Sequence, residues 1–193
     1  MNKRDTQLPS VEQLETELKR VRHKNEYKRT FRGTVYILVT VAAIAVLVAT
    51  MFMPVLQVCG SSMEPTLENG ELVLSLKNGK FRRGEVVAFY YNNKILLKRV
   101  IGVPGDQIVV KDDGTVLVNG TALDEPYVTD KGLGECDLEF PYQVPDNRIF
   151  VMGDHRQTSI DSRSSTIGCV SEELIVGKVV LRFWPLKNIG GVQ

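Results

Sequence analysis

The segment Ile95-Leu96-Leu97-Lys98-Arg99-Val100-Ile101 places two adjacent cations inside an otherwise apolar run. Its aliphatic and β-branched residues predict a β-strand, in which successive side chains point to opposite faces. Lys98 then shares a face with Leu96 and Val100, and Arg99 lies on the other face. Burial of this kind favours a neutral amine, because desolvation disfavours the charged form. The ordinary alternative is a lysine whose stem packs on the sheet while its ammonium reaches water.

Other short runs with the same β-rich composition lie on both sides of this segment, at residues 71–76, 85–91, 107–110, 148–152 and 177–183. Turns rich in Gly, Asn and Asp separate them, including Asn78-Gly79, Pro104-Gly105-Asp106 and Asn119-Gly120. Residues 112–145 are more polar and richer in turns than their neighbours. The pattern predicts a mainly β domain over residues 57–193, built on an antiparallel, barrel-like sheet with a small β-rich insertion at 112–145.

The charge of the 193-residue chain is unevenly distributed, although its formal total is only +1. Residues 1–33 contain nine Lys/Arg and five Asp/Glu, whereas residues 57–193 contain fifteen and eighteen. Between them, residues 34–56 carry no charge; as a helix rising about 1.5 Å per residue they would reach roughly 34 Å, enough to cross a bilayer core. We therefore predict a transmembrane helix over residues 34–56.

The basic flank sets the predicted orientation of this span. Basic residues prefer the cytoplasmic side, so residues 1–33 are expected in the cytoplasm and residues 57–193 outside the cell membrane. A cleaved secretory signal is the alternative, but its apolar run is usually shorter. Ser10 and Gln13 fit a capping box that begins a helix, with apolar residues at heptad-like spacing: Val11, Leu14, Leu18 and Val21. That helix either lies alone beside the membrane or self-associates weakly as a short coiled coil.

Three cysteines lie on the predicted outer side, namely Cys59, Cys136 and Cys169. An oxidising compartment permits a disulfide, and Cys136 with Cys169 is one conceivable pair, but free thiols are equally compatible with the sequence. The sequence contains no CxxC motif or Cys/His cluster, so we expect neither a metal nor an organic cofactor. The near-neutral charge gives no indication of nucleic-acid binding.

Two loops carry the residue types of a hydrolytic site. The first, Gly60-Ser61-Ser62-Met63-Glu64-Pro65-Thr66-Leu67, flanks a hydroxyl with glycine and proline, so that backbone N–H groups can approach an oxyanion. The second covers residues 153–163. If its second half is extended, Ser159, Asp161 and Arg163 share a face. An Asp161–Arg163 ion pair would then stiffen the loop, and the Ser159 hydroxyl would orient the Lys98 amine.

Together these stretches resemble the bacterial type I signal peptidases. The resemblance runs from the apolar segment to Trp184 and includes Lys98-Arg99-Val100-Ile101-Gly102-Val103-Pro104-Gly105-Asp106 and Arg182-Phe183-Trp184-Pro185. It implies that Ser62, directly before Met63, is the nucleophile and that Lys98 is the general base. Strand alternation agrees that only one of Ser61 and Ser62 can face Lys98.

The resemblance also implies supporting roles for the second loop. Ser159 matches the serine that orients the lysine, and Asp154, Asp161 and Arg163 match residues that shape the site. Around the nucleophile it implies an oxyanion and substrate loop made of Gly60, Ser61, Met63 and Pro65, with the Ser62 N–H as one oxyanion donor.

Two positions depart from the family pattern. Gly60 stands where some members carry a second hydroxyl donor, so a main-chain group or water would have to take its place. His155 stands where asparagine is usual, which leaves open a Ser/His/Asp arrangement with His155 as the base.

The resemblance implies the substrate as well: exported preproteins, bound as an added strand, with small residues one and three positions before the cut. Membrane lipid is the other expected partner. Two alternatives are a self-cleaving Ser/Lys protease of the repressor type and a catalytically silent membrane adaptor. The first would need a DNA-binding module and no membrane span, and the second would not need both Ser62 and Lys98.

Overall fold

The computed structural model describes residues 10–77 and 79–192. The start of the predicted cytoplasmic segment, residues 1–9, and Asn78 of the predicted Asn78-Gly79 turn lie outside the described residues. The chain divides into two compact units, residues 1–49 and residues 50–193, which we describe separately.

Helix α1, Val11–Phe52, has 42 residues and no buried side chain, and all but its last three residues belong to the first unit. It begins with the predicted capping box: Ser10 N–H donates to Gln13 Oε1 at 3.1 Å, and Gln13 N–H donates to Ser10 Oγ at 3.3 Å. Within the described part of the chain, α1 is the one helix that is long and apolar enough to cross a membrane.

The predicted end of the apolar helix, Leu56, is wrong. Helix α1 ends at Phe52, and Val55–Gln57 instead forms strand β1, antiparallel to Leu72–Leu76. Pro54 explains the change, because proline has no N–H to donate and clashes with the preceding helical turn. Its carbonyl oxygen accepts from Ser75 N–H at 2.9 Å, so the chain joins the sheet at this point.

The second unit contains two antiparallel sheets. The larger sheet has eight strands: β1, β2 (Leu72–Leu76), β3 (Val86–Tyr91), β4 (Lys94–Gly102), β9 (Arg148–Met152), β10 (Val170–Ser171), β11 (Ile175–Trp184) and β12 (Gly190–Gly191). Their spatial order is β1-β2-β11-β3-β4-β9-β10, with β12 beside β11. The smaller sheet has the order β7-β6-β5-β8 and is built from β5 (Gln107–Val110), β6 (Val116–Val118), β7 (Thr121–Ala122) and β8 (Tyr142–Gln143). The predicted mainly antiparallel β fold is thus confirmed.

The smaller sheet corresponds to the predicted insertion at 112–145 but begins earlier, at Gln107. Its strands pack on the larger sheet through one apolar cluster that contains Ile108 and Val118 together with Ile101 and Phe150. A second cluster lies between β3, β4 and β9, and a third surrounds Met63 and Leu67. Because the first cluster joins both sheets, the insertion shares its core with the domain that carries it.

Strands β4 and β1 of the larger sheet each have an edge that is not fully paired. β4 pairs with β3 along Lys94–Arg99, but its other edge is paired with β9 only from Arg99 onward. β1 pairs with β2 on one side and lies at the end of the larger sheet. Residues 94–98 and 55–57 therefore leave strand edges without a strand partner among the described residues.

Candidate active site

The two residues predicted as nucleophile and base meet in the structure. Lys98, in the middle of β4, places Nζ 2.7 Å from Ser62 Oγ, within hydrogen-bond distance. Ser62 lies in the turn after β1, where Leu67 N–H donates to Met63 O at 2.9 Å. Met63 and Leu67 are buried and anchor this turn, whereas Ser61 is exposed. Of the two adjacent serines, Ser62 is the one that contacts Lys98.

Lys98 is buried, with 3% of its surface exposed. Burial is the largest effect on its amine and lowers the pKa from 10.5 to about 8; Asp161 and Asp154 act in the opposite direction, and Arg163 adds to the lowering. Removing a cation from water disfavours its charged form. About one lysine in ten is then neutral at pH 7, enough for the amine to accept a proton from a hydroxyl.

The loop after β9 packs directly against Ser62. His155 N–H donates to the Ser62 carbonyl oxygen at 3.1 Å. A Cβ on Gly153 would lie 2.3 Å from Ser159 Oγ and 2.5 Å from the Ser62 carbonyl oxygen, both closer than real contacts allow. Position 153 therefore has room only for glycine, and this close fit brings Ser159 near the turn that carries Ser62.

The predicted hydrogen bond between Ser159 and Lys98 is not formed. Ser159 is buried, and its Oγ has no hydrogen-bond partner among the described residues. The segment around it is not extended, as the prediction assumed, but runs through bends and turns. The hydroxyl consequently sits beside the Ser62 turn with its donor and acceptor capacity unused.

His155 does not replace Lys98 in the structure. Its main-chain N–H contacts Ser62, but its imidazole Nδ1 is buried without a hydrogen-bond partner in the described part of the chain. Lys98 Nζ is the side-chain group that reaches Ser62 Oγ. The geometry therefore favours Lys98 over His155 as the base.

The predicted Asp161–Arg163 ion pair is present and fully buried, with Arg163 Nε donating to Asp161 Oδ1 at 2.9 Å. The other Asp161 oxygen accepts from Gly153 N–H at 3.0 Å. Arg163 also donates to the carbonyl oxygens of Leu133 at 2.6 Å and Arg156 at 2.8 Å. The pair thus holds the turns of residues 153–163 in place without a strand.

A second buried pair joins Arg99 to Asp154. The guanidinium donates to both carboxylate oxygens, at 2.8 Å from Nε and 2.7 Å from Nη2. Thr66 Oγ1 donates to the same carboxylate at 2.5 Å, and the ring of Tyr127 lies 3.9 Å from the Arg99 Cζ. Asp154 was predicted as a supporting residue; its two partners, Arg99 and Thr66, were not. Arg99 had a sequence signal, since it lies next to Lys98 in an apolar strand.

A third buried pair joins the loop to the smaller sheet. Arg156 makes a bidentate contact with Glu125, and its Nε donates to the Gly153 carbonyl oxygen at 3.0 Å. Both side chains are almost fully buried. Sequence reasoning missed this pair, because Glu125 lies 31 residues before Arg156 in a segment that showed only turn-like composition.

The main-chain donors around the nucleophile differ in whether they are already hydrogen-bonded. Gly60 has φ +95°, a conformation that favours glycine, and its N–H donates to Asn69 Oδ1 at 2.9 Å. The Ser62 N–H has no acceptor among the described residues. Ser62 can therefore offer its N–H to an oxyanion, whereas the Gly60 N–H is already engaged. Pro65, predicted in the same loop, is exposed.

A groove leads away from Ser62 along the free edges of β1 and β4. It has a volume of about 770 Å³ and is lined by residues from 55–59 and 93–97. A smaller pocket of about 40 Å³ includes Ser62 and Met63 and shares Gln57, Cys59 and Leu97 with the groove. The two hollows therefore adjoin each other, and the smaller one includes Ser62.

The cysteines form no disulfide bond in the structure. All three cysteines are free, with Cys59 exposed and Cys169 buried, so the conceivable Cys136–Cys169 disulfide is not formed. Among residues 10–77 and 79–192, no group of three or more His, Cys, Asp or Glu side chains is placed to hold a metal ion.

An antiparallel β domain with a serine hydroxyl beside a buried amine has the arrangement of a serine hydrolase. Comparison with known proteins specifies the class. The model of the signal peptidase family, peptidase S26, matches residues 31–184. The chain belongs to this family and is a serine endopeptidase of the signal peptidase class.

Two relatives agree with this assignment. The chain is 34% identical over 178 residues to signal peptidase I of Bacillus licheniformis, covering 86% of this chain and 94% of that protein. It is 40% identical over 149 residues to signal peptidase IB of Staphylococcus aureus, covering 67% and 76%. A crystal structure of a signal peptidase I from Enterococcus faecalis aligns with a TM-score of 0.44 and 29% identity, covering 51% of this chain and 96% of that one.

Proposed function

We propose that this protein removes N-terminal signal peptides from exported preproteins, with Ser62 as nucleophile and neutral Lys98 as general base. The observation that carries the proposal is the 2.7 Å separation of Ser62 Oγ and a buried Lys98 Nζ. A serine hydroxyl is a weak nucleophile until an adjacent base takes its proton. An amine with a pKa of about 8 can do this near neutral pH.

The reaction follows from these two groups and one main-chain donor. Lys98 Nζ accepts the hydroxyl proton as Ser62 Oγ forms a bond to the scissile carbonyl carbon, and the Ser62 N–H donates to the developing oxyanion. Lys98 then gives the proton to the departing amine, and the peptide C–N bond breaks. A water molecule then attacks the resulting ester carbonyl carbon, while Lys98 Nζ accepts a proton from that water. Cleavage of the ester bond returns that proton to Ser62 Oγ and releases the new carboxyl end.

The supporting residues fit this proposal as positioning groups. His155 N–H fixes the Ser62 carbonyl oxygen, and the buried Asp161–Arg163 and Asp154–Arg99 pairs fix the loop and strand that face it. We assign Ser159 to the same group, because it lies buried beside the Ser62 turn with an unused hydroxyl.

The groove accounts for the expected substrate. Two strand edges without partners, at residues 55–57 and 94–98, border it, and an extended peptide can pair with such edges through its main chain. The pocket next to Ser62 is small, with a volume of about 40 Å³. A small side chain before the cut fits that space, in line with the expected small residues one and three positions before it.

The N-terminal helix would anchor the protein in the cell membrane. The uncharged part of α1 runs from residue 34 to Phe52 and reaches roughly 28 Å at about 1.5 Å per residue, close to the thickness of a bilayer core. The basic residues before it favour an orientation with residues 1–33 in the cytoplasm and the β domain outside. The catalytic site would then meet preproteins where they leave the membrane.

Cleavage of a model preprotein by the full chain in liposomes tests the proposal. Wild type should cut after the second small residue, while Ser62→Ala and Lys98→Met should lose at least about a thousand-fold in rate, as expected for a nucleophile and its base. Ser61→Ala is the matched control, since Ser61 is the exposed neighbour of Ser62. His155→Asn tests the alternative base.

The outcomes separate the competing functions. Active Ser61→Ala and His155→Asn variants beside inactive Ser62→Ala and Lys98→Met variants would support the Ser/Lys assignment. An inactive His155→Asn variant that still folds would move the base to His155. A wild-type protein that binds preprotein but never cuts it would favour the alternative function, a catalytically silent membrane adaptor.

A further inference from the structure

Lys94 lies at the end of the groove remote from Ser62. It is exposed, begins strand β4 and follows the turn at Asn92 and Asn93. Of the nine residues that line the groove, Lys94 is the charged one; the others are apolar or neutral, among them Gln57 and Asn93. In the described part of the chain Lys94 has no ion-pair partner, and its ammonium remains available to a ligand.

The register of β4 fixes how far this charge lies from the cut. Lys98 contacts Ser62, and Lys94 precedes it by four residues, about 13 Å along a strand that rises about 3.3 Å per residue. A peptide paired with this edge advances by the same distance per residue. The substrate residue beside Lys94 is therefore about four positions from the residue whose carbonyl is attacked.

The groove also determines which side of the substrate meets Lys94. Beyond Lys98 the edge of β4 is taken by β9, beginning with the pair Arg99 and Met152. An added strand can follow β4 only from Lys98 toward Lys94. Under the proposed function the recognised small residues precede the cut, so the part of the substrate in the groove is its N-terminal side.

We infer that Lys94 is a specificity-determining residue, which selects acidic over basic side chains at about the fifth position before the cut. The inference rests on the proposed function, because it needs the groove to hold the peptide segment before the scissile bond. A carboxylate at that position is attracted by the ammonium of Lys94, and a lysine or arginine is repelled by it. Since the rest of the lining is uncharged, no other lining residue opposes this preference.

The test measures kcat/KM for peptides that differ only at the fifth position before the cut, with Glu, Gln or Lys there. One exposed charge pair changes an equilibrium by about fivefold at most. Because Lys94 attracts Glu and also repels Lys, the wild-type kcat/KM should be about three- to tenfold higher for the Glu peptide than for the Lys peptide. Lys94→Gln should abolish the preference and Lys94→Glu should reverse it. Lys111→Glu, which makes the same charge change on an exposed residue outside the groove, should keep the wild-type order.

Raising the salt concentration should shrink the preference of wild type, because exposed charges are screened. The inference is overturned if Lys94→Glu retains the wild-type order, or if Lys111→Glu alters that order as much as Lys94→Glu does. A wild-type protein that cleaves none of the peptides overturns the proposed function together with the inference. Normal cleavage without charge selection overturns the inference alone.

Discussion

The pH at which Lys98 loses its proton should control the rate of cleavage. With a pKa of about 8, roughly one-tenth of the amine is neutral at pH 7 and roughly nine-tenths at pH 9. If only the neutral form accepts the Ser62 proton, kcat/KM rises about tenfold between these pH values. The direction follows from burial, which is the largest effect on Lys98 and disfavours the ammonium.

The assay measures kcat/KM from pH 6 to 10 with a peptide that has no group titrating in that range. The pH dependence of kcat/KM reports the pKa values of catalytic groups in the free enzyme. A single acid limb centred near pH 8 is expected, and His155→Asn should leave its midpoint unchanged. A midpoint near about 6.5, the usual pKa of an imidazole, would refute the reasoning and indicate a histidine base. A flat profile would show that proton removal by Lys98 does not limit the reaction.

Three further predictions concern the same loop and lysine. Lys98→Met should raise the free energy of unfolding at pH 7 by at most about 3 kcal/mol relative to wild type, as urea titrations would show. This gain should shrink as the pH rises from about 8 to 10.5. In that range the Lys98 amine binds a proton in the unfolded state but not in the folded state, so the wild-type protein gains stability with pH. Glu125→Gln should cost about 3 kcal/mol or more by leaving Arg156 buried and unpaired, and the double variant Glu125→Leu with Arg156→Met should cost less than either single change. Gly153→Ala should reduce kcat by at least about tenfold with a smaller effect on KM, because its Cβ would lie 2.5 Å from the Ser62 carbonyl oxygen and displace the nucleophile.

The longer strands could be predicted from the sequence, and most of the short ones could not. The predicted runs at 85–91, 95–101 and 148–152 agree with β3, β4 and β9 to within one residue at each end. These strands are rich in β-branched residues, and their composition alone favours extended chain. Strands of two or three residues, such as β1 and β10, exist because a partner strand pairs with them. Val55 and Leu56 continue an apolar run, so local composition assigned them to the helix.

The site was predictable where its chemistry is local. An apolar strand carrying Lys98 and a small-residue loop carrying Ser62 were each visible in the sequence, and the structure brings them together. The pair Asp161–Arg163 lies within one segment and was also found, although through turns instead of a strand. Contacts between distant segments, such as Arg99 with Asp154, depend on the folded topology. No spacing in the sequence indicates them.

Three buried arginine–carboxylate pairs hold the polar loops around Lys98 while the pKa of its amine stays below the usual value. Arg163 opposes the effect of its partner Asp161 on that pKa, and burial remains the largest effect. Apolar side chains would exclude water as well, and at a lower desolvation cost. They could not satisfy the carbonyl oxygens of turns, which lack strand partners and must still be hydrogen-bonded when buried.

Arginine meets this second requirement because its guanidinium has five donors. Arg163 uses them on Asp161 and on carbonyl oxygens from two segments, residues 132–133 and 156–159, while Arg156 links Glu125 to the Gly153 carbonyl oxygen. Both guanidiniums thus join the segment between β7 and β8 of the smaller sheet to the loop that packs against Ser62. Shortening residues 123–134 should therefore reduce catalysis even though none of them contacts the Ser62–Lys98 pair.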